Sequence, residues 1–156
     1  MLALRIDHVG KGIPTRFVHR YIRQASVWLH ARGMRTLAAL TSAGAPLASA
    51  LAFDSSVISA PFADMNLEQA KAISASMSIS SASGQPDEER ILQLALPETC
   101  DIEDIISSVA SRNTLRTGDV FMLPLQDTGI EIAEGQDVEI KLLSPAAGKL
   151  LHFNIK

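Results

Sequence analysis

Ten residues, Ala72 to Ser81, limit what this chain can fold into more than any other stretch. Ile73, Ala75, Met77 and Ile79 alternate with Ser74, Ser76, Ser78 and Ser80. Only an extended strand turns a period of two into one apolar face and one polar face. Such a strand needs partners on its edges and a layer over its apolar side, so the chain has to build a sheet. Ser83-Gly84-Gln85-Pro86-Asp87 supplies a turn, and Arg90 to Leu96 reads as the strand that returns from it.

The last third, Asn113 to Lys156, carries the same signal. Thr117-Gly118-Asp119 turns into the apolar run Val120 to Leu123, and Ile130 to Ile132 lies between two further turn sequences. Val138, Ile140 and Leu142 then alternate with polar neighbours, as do Leu151, Phe153 and Ile155. The pattern predicts a strand meander belonging to a curved sheet or open barrel. Upstream, Met1 to Val9 reads as a strand, and Pro14-Thr15 starts a short helix through about Ile22. Gln24 to Arg32 suits either a continuation of that helix or a strand. A second helix is expected over Met34 to Ser42, then a loop-rich segment from Leu47 to Asp64. Asp101 to Arg112 reads as an amphipathic helix with acids in its first turn and Asn113 as a left-handed stop. The fold class is therefore α+β and β-rich, with two or three short helices.

At 156 residues and 47% hydrophobic, the chain is the size of one domain with a sizeable core. A net charge of −3 with both signs mixed offers no electrostatic reason for nucleic acid or an anionic membrane as partner. The positive cluster from Arg16 to Arg35, with His19 and His30, reads as a solvated or interface face. No apolar run reaches the ~20 residues that span a bilayer. Cys100 is the single cysteine, so no intrachain disulfide is available and a cytoplasmic, reducing setting is expected. The serine ladder lacks a base or an orienting acid beside it, which argues against nucleophilic catalysis.

Particular residues go further. Thr114-Leu115, Gly118-Asp119, Gly135 with Asp137, and finally Gly148, Leu150 and Asn154 follow a helix in a fixed order. Gly10-Lys11, Ile13, Arg16-Phe17, His19-Arg20-Tyr21, Ala31-Arg32, Ala52-Phe53-Asp54 and Ser56 precede them. Together these positions resemble the carboxy-terminal part of the fumarylacetoacetate hydrolase family, over nearly the whole chain. The resemblance implies a mixed β-roll, a strand rather than a helix over Gln24 to Arg32, and pairing as a homodimer. It also implies a shortened member, one domain over 1–156 without the family's usual N-terminal segment. Members of the family are metal-dependent hydrolases, decarboxylases or tautomerases of acylpyruvate-like diketo acids that hold Mg²⁺, Mn²⁺ or Ca²⁺ on carboxylates. A hard divalent ion needs oxygen ligands, several of them anionic.

In the family those carboxylates come from a Glu-x-Glu on the first strand and an Asp two residues before a Ser-Ala-Arg. Here the second Glu falls on Met1, the first lies before the chain starts, and the Asp falls on Trp28, ahead of His30-Ala31-Arg32. The family's lysine falls on Leu51, and its Thr-Gly-Thr-Pro on Met122-Leu123-Pro124-Leu125. The expectation is a vestigial cleft of Trp28, Arg32, Leu51, Asp54 and Met122, with Arg32 at its mouth or paired with a structural acid, and Asp54 capping a loop or accepting a hydrogen bond behind the cleft. No catalytic residue, metal or cofactor is expected. A replacement metal site from Asp7, His8, His30 and Asp54 is disfavoured because neighbours on a strand point to opposite faces. The reading is a degenerate, catalytically inactive relative with a structural, interaction or ligand-binding role. It would work as a homodimer or a hetero-oligomer with a related protein, and a metal-free small-molecule ligand in the old cleft is a further reading. The alternative is an active enzyme of the family with relocated ligands.

Overall fold

Leu2, Leu4 and Ile6 are wholly buried, and the strand that carries them is paired on both edges. The computed structural model describes residues 1–81, 90–125, 130–144 and 148–154. The chain runs through β1 (Leu2–Ile6), a 3-10 turn (Thr15–Arg20), β2 (Ile22–Val27) and β3 (Leu29–His30). Next come α1 (Met34–Ser42), α2 (Ala48–Leu51), β4 (Val57–Ile58), β5 (Ala63–Asp64) and α3 (Leu67–Lys71). The second half holds β6 (Ser74–Ser81), β7 (Arg90–Ala95), α4 (Ile102–Arg112), β8 (Val120–Leu123), β9 (Gln136–Ser144) and β10 (Gly148–Asn154).

Two four-stranded sheets result, ordered β5-β2-β1-β8 and β10-β9-β6-β7, with β3 and β4 as a separate pair. Every pairing among the described strands is antiparallel, and neither sheet closes into a barrel. The serine alternation does form a strand, β6, central in its sheet between β9 and β7. Ile73, Ala75, Met77 and Ile79 are buried while the serines at 74, 76, 78 and 80 stay half-buried. Both sheets and α4 share one core, in which Leu2, Leu4 and Ile6 pack with Met77, Ile79, Val138, Ile140, Ile102 and Ile106. The helices α1 and α2 stand apart from it, and α1 buries no residue at all.

Several expectations are corrected. The terminal stretch is not one meander: β8 leaves it to pair with β1, and β9 and β10 join β6. Residues 130–132 form no strand, because no described neighbour offers them a ladder. Asn113 is extended (φ −123, ψ 149) rather than left-handed, since its side-chain amide closes the helix end on the Val109 carbonyl at 3.1 Å. The predicted helix from Pro14 is a six-residue 3-10 turn, and the loop-rich segment from Leu47 contains α2 and two short strands. The expected turn over 83–87 lies outside the described residues. The helix α3 was unforeseen, although Asn66 and Gln69 announce it through a reciprocal capping box.

Lys71 ties α3 to α4 by reaching both Glu68 and Glu103. The hydrogen bond to Glu103 is the main reason its pKa rises above the ordinary 10.5. A lysine with a raised folded pKa stabilises the fold below its unfolded value and loses that contribution as pH climbs through the folded one. Lys71→Met should lower stability by about 0.5–1 kcal/mol at neutral pH, read from the urea midpoint. The gap between parent and variant should persist to about pH 10 and shrink above it.

Candidate functional site

The two faces of the first sheet have different fates. Leu2, Leu4, Ala25, Val27 and Leu123 point into the core. Register places Ser26, Ala3 and Met122 in one row on the other face, and Gln24, Arg5 and Val120 in the next row of that face. Trp28 and Met1 extend it beyond the ladder. The Trp28 amide donates to the Met1 carbonyl at 2.9 Å, and the Met1 amino group donates to the Trp28 carbonyl at 2.9 Å. Burial pulls the pKa of that amino group down to about 6. The structure thus brings Trp28, Met1 and Met122 onto one face of the sheet.

That face is covered. The segment Ala60-Pro61-Phe62 crosses it as a strap, held by hydrogen bonds from the side chains beneath. Trp28 Nε1 donates to the Ala60 carbonyl at 2.9 Å, and Ser26 Oγ donates to the Ala60 and Pro61 carbonyls at 3.2 and 3.0 Å. The Phe62 ring sits on Trp28 with centroids 5.2 Å apart and planes tilted by 55°. The Arg5 guanidinium carbon lies 5.8 Å from the Phe62 centroid. Arg5 Nη1 then donates to Gln24 Oε1 at 3.1 Å, and Gln24 Nε2 donates to Asp64 Oδ1 at 3.0 Å. Beneath the strap Ala3 is fully buried and Ser26 nearly so, although both lie on the sheet's outer side.

The donor set is wrong for a hard divalent cation. Trp28 offers an N–H, the Ser26 hydroxyl is spent on the strap, and the nearest carboxylate in the chain of contacts, Asp64, holds Gln24. Among the described residues no three His, Cys, Asp or Glu side chains converge. Asp7 and His8 do meet, contrary to the strand argument, because β1 ends at Ile6 and both residues lie beyond it. His8 Nε2 and Arg23 Nε are each 3.3 Å from Asp7 Oδ2. His30 is elsewhere, its Nε2 donating to the Leu51 carbonyl at 2.8 Å. Leu51 is half-buried at the end of α2. Arg32 and Asp54 are exposed and make no hydrogen bond or ion pair among the described residues, so the loop cap assigned to Asp54 does not form.

Sequence reasoning missed Ser26, Phe62, Arg5 and Gln24. The available signal was Phe62 itself, a lone large ring after a proline in a run of small residues.

No protein-family model matches the sequence, and no curated protein matches it significantly. Solved structures do match in fold. Over 99% of this chain the fold superposes on a Yersinia pestis protein assigned to the fumarylacetoacetate hydrolase family, with 24% identity and a TM-score of 0.72, spanning 67% of that protein. A yeast fumarylacetoacetate hydrolase family protein superposes over the same share at 15% identity and a TM-score of 0.72, spanning 65% of its chain. The fumarylpyruvate hydrolase of Pseudomonas aeruginosa, solved with Mn²⁺ and pyruvate, gives 15% identity and a TM-score of 0.66 over 99% of this chain and 64% of its own. This chain therefore spans about two thirds of the length of the proteins it matches. Across that span the protein has the fold of the fumarylacetoacetate hydrolase family.

Proposed function

We propose that the chain is a metal-free, non-catalytic relative of the fumarylacetoacetate hydrolase family that serves in binding or assembly. The observation that carries this reading is the strap: Phe62 and the Ala60 carbonyl occupy the face beside Trp28, where the family resemblance puts a carboxylate ligand. A fold shared with hydrolases supplies a scaffold, and the chemistry belongs to the side chains placed on it. Met1, Trp28, Leu51 and Met122 supply no anionic side chain to that scaffold. A cytoplasmic setting accompanies the reading, in keeping with a single half-buried thiol, Cys100, whose pKa is raised by desolvation and by Asp101.

Titration calorimetry with Mg²⁺ or Mn²⁺ should show no stoichiometric site of micromolar affinity, and acylpyruvates should not be hydrolysed. Metal-dependent turnover would sink the reading and favour an enzyme with relocated ligands.

Trp28→Asp should not restore activity. It removes the Nε1 bond to Ala60 and the contact with Phe62, and it leaves a single carboxylate beside the strap. Because Trp28 is only half-buried, the loss should be about 2–4 kcal/mol, toward the lower part of the range for truncating a packed Trp. A variant that melts with the parent and turns over an acylpyruvate would show that the face is an intact site.

Assembly has its own support. The helix α1 buries nothing, and Met34 on it, Phe53 after α2 and Val57 in β4 are exposed apolar side chains (64%, 42% and 40%). The reading is that these side chains meet a partner in the assembly. Sedimentation at micromolar concentration should give a dimer, and a lone monomer there would count against an assembly role for this chain by itself.

A further inference from the structure

The 3-10 turn before β2 carries Arg16, His19 and Arg20, none of them in an ion pair among the described residues, and the one carboxylate bonded to the turn, Asp104, is held by Thr15 at 3.3 Å. Between Arg16 and Arg23 the sequence carries three arginines and His19 and no carboxylate. Arg16 and Arg20 both stack on Phe17, their guanidinium carbons 4.7 and 4.6 Å from the ring centroid. Two like charges share one ring, and neither has an ion-pair partner among the described residues. An aromatic face attracts a cation but does not neutralise it. Asp7 is already engaged by Arg23 and His8, and Asp64 accepts from Gln24.

Beside this turn lies an open groove of about 910 Å³. Its lining comprises His8, His19, Arg20 and Arg23, the polar Asn66 and Gln69, the largely buried Ile22 and Met65, and one carboxylate, Asp64. In the capping box Asn66 Oδ1 and Gln69 Oε1 accept from backbone amides, which leaves the NH2 group of each side chain as a donor. Donors therefore come both from the arginine and histidine side chains and from these two amides. The volume falls within the ~300–1,000 Å³ range of small-molecule sites. The groove shares Asp64 with the Arg5 and Gln24 contacts at the covered face, and its charge does not depend on the proposed loss of catalysis.

We infer that this groove is a binding site for a small organic carboxylate, with the carboxylate at Arg20 and His19 and an apolar body over Ile22 and Met65. A guanidinium binds a carboxylate through paired, charge-assisted hydrogen bonds, and the shared position over Phe17 leaves the Arg20 fork available for them. A purely inorganic anion would use the charge and leave Ile22 and Met65 unused.

Benzoate titrated into isotopically labelled protein should shift the amide resonances of residues 19–23 and 64–66 and saturate in the millimolar range expected of an open site. Benzyl alcohol, the same body without the charge, should leave them unmoved, and inorganic phosphate should bind more weakly than benzoate. Arg20→Gln should weaken benzoate by about fivefold, the scale of one exposed charged contact. Arg35→Gln, which removes the same charge outside the groove, should leave the affinity unchanged. Arg20 is exposed, so its variant is expected to fold like the parent. Shifts that fail to saturate, phosphate binding equal to benzoate, or equal losses from both variants would each overturn the assignment.

Discussion

The pairing of β1 on both edges holds the rest of the structure in place. Its partners come from opposite ends of the sequence, β2 about twenty residues on and β8 more than a hundred. The junction continues past the strand. Ile6 and Asp119, Gly118 and Ile6, and Gly10 and Leu115 exchange backbone hydrogen bonds of 2.8–3.0 Å, and Thr117 Oγ donates to the Asp7 carbonyl at 3.1 Å. Closing so long a loop costs entropy that grows only slowly with length, about 0.6 kcal/mol per doubling, so a few buried strand residues offset it. Two glycines make the closure geometrically feasible. Gly118 turns at φ 94, and a Cβ at Gly10 would stand 2.6 Å from the Tyr21 ring.

One consequence of that closure is that the first sheet has a defined outside. The inner rows meet the second sheet and α4, while the outer rows meet only what the chain lays over them. The strap at Ala60 to Phe62 answers that need with few apolar atoms. Its carbonyls accept from Trp28 and Ser26, which would otherwise leave an indole N–H and a hydroxyl in a shielded place without partners. No buried side-chain nitrogen or oxygen among the described residues lacks a partner, so this covering is complete in its hydrogen bonds. A face satisfied in this way is stable as protein and poor as a cation site, because its lone pairs and protons are already matched to one another.

Alternation told which residues face inward, and it held wherever a strand was paired on a core side. The buried sets at 73–79 and 138–142 and the helix from 102 to 112 were legible because their periods survive any partner. The resemblance to a family was legible through its turns, which depend on local backbone conformation. Register places Trp28, Met1 and Met122 on one face, a grouping that pairing between distant strands produces. Arg32 and Asp54 are exposed, a property that adjacency to a motif does not record.

By itself the sequence determined the strand faces, the amphipathic helix, the turn positions and the absence of an anionic side chain at Trp28 and Met1. Those are properties of single residues and short periods, which local geometry settles. Only the tertiary structure decided that β8 crosses to β1 instead of pairing with β9, and that Phe62 rather than an open cleft meets Trp28. The same holds for the grouping of Arg20, His19, Ile22 and Met65 around one groove. Each of these joins segments tens to a hundred residues apart. Their pairing is chosen by competition among all edges and faces in the fold, and no local pattern records its outcome.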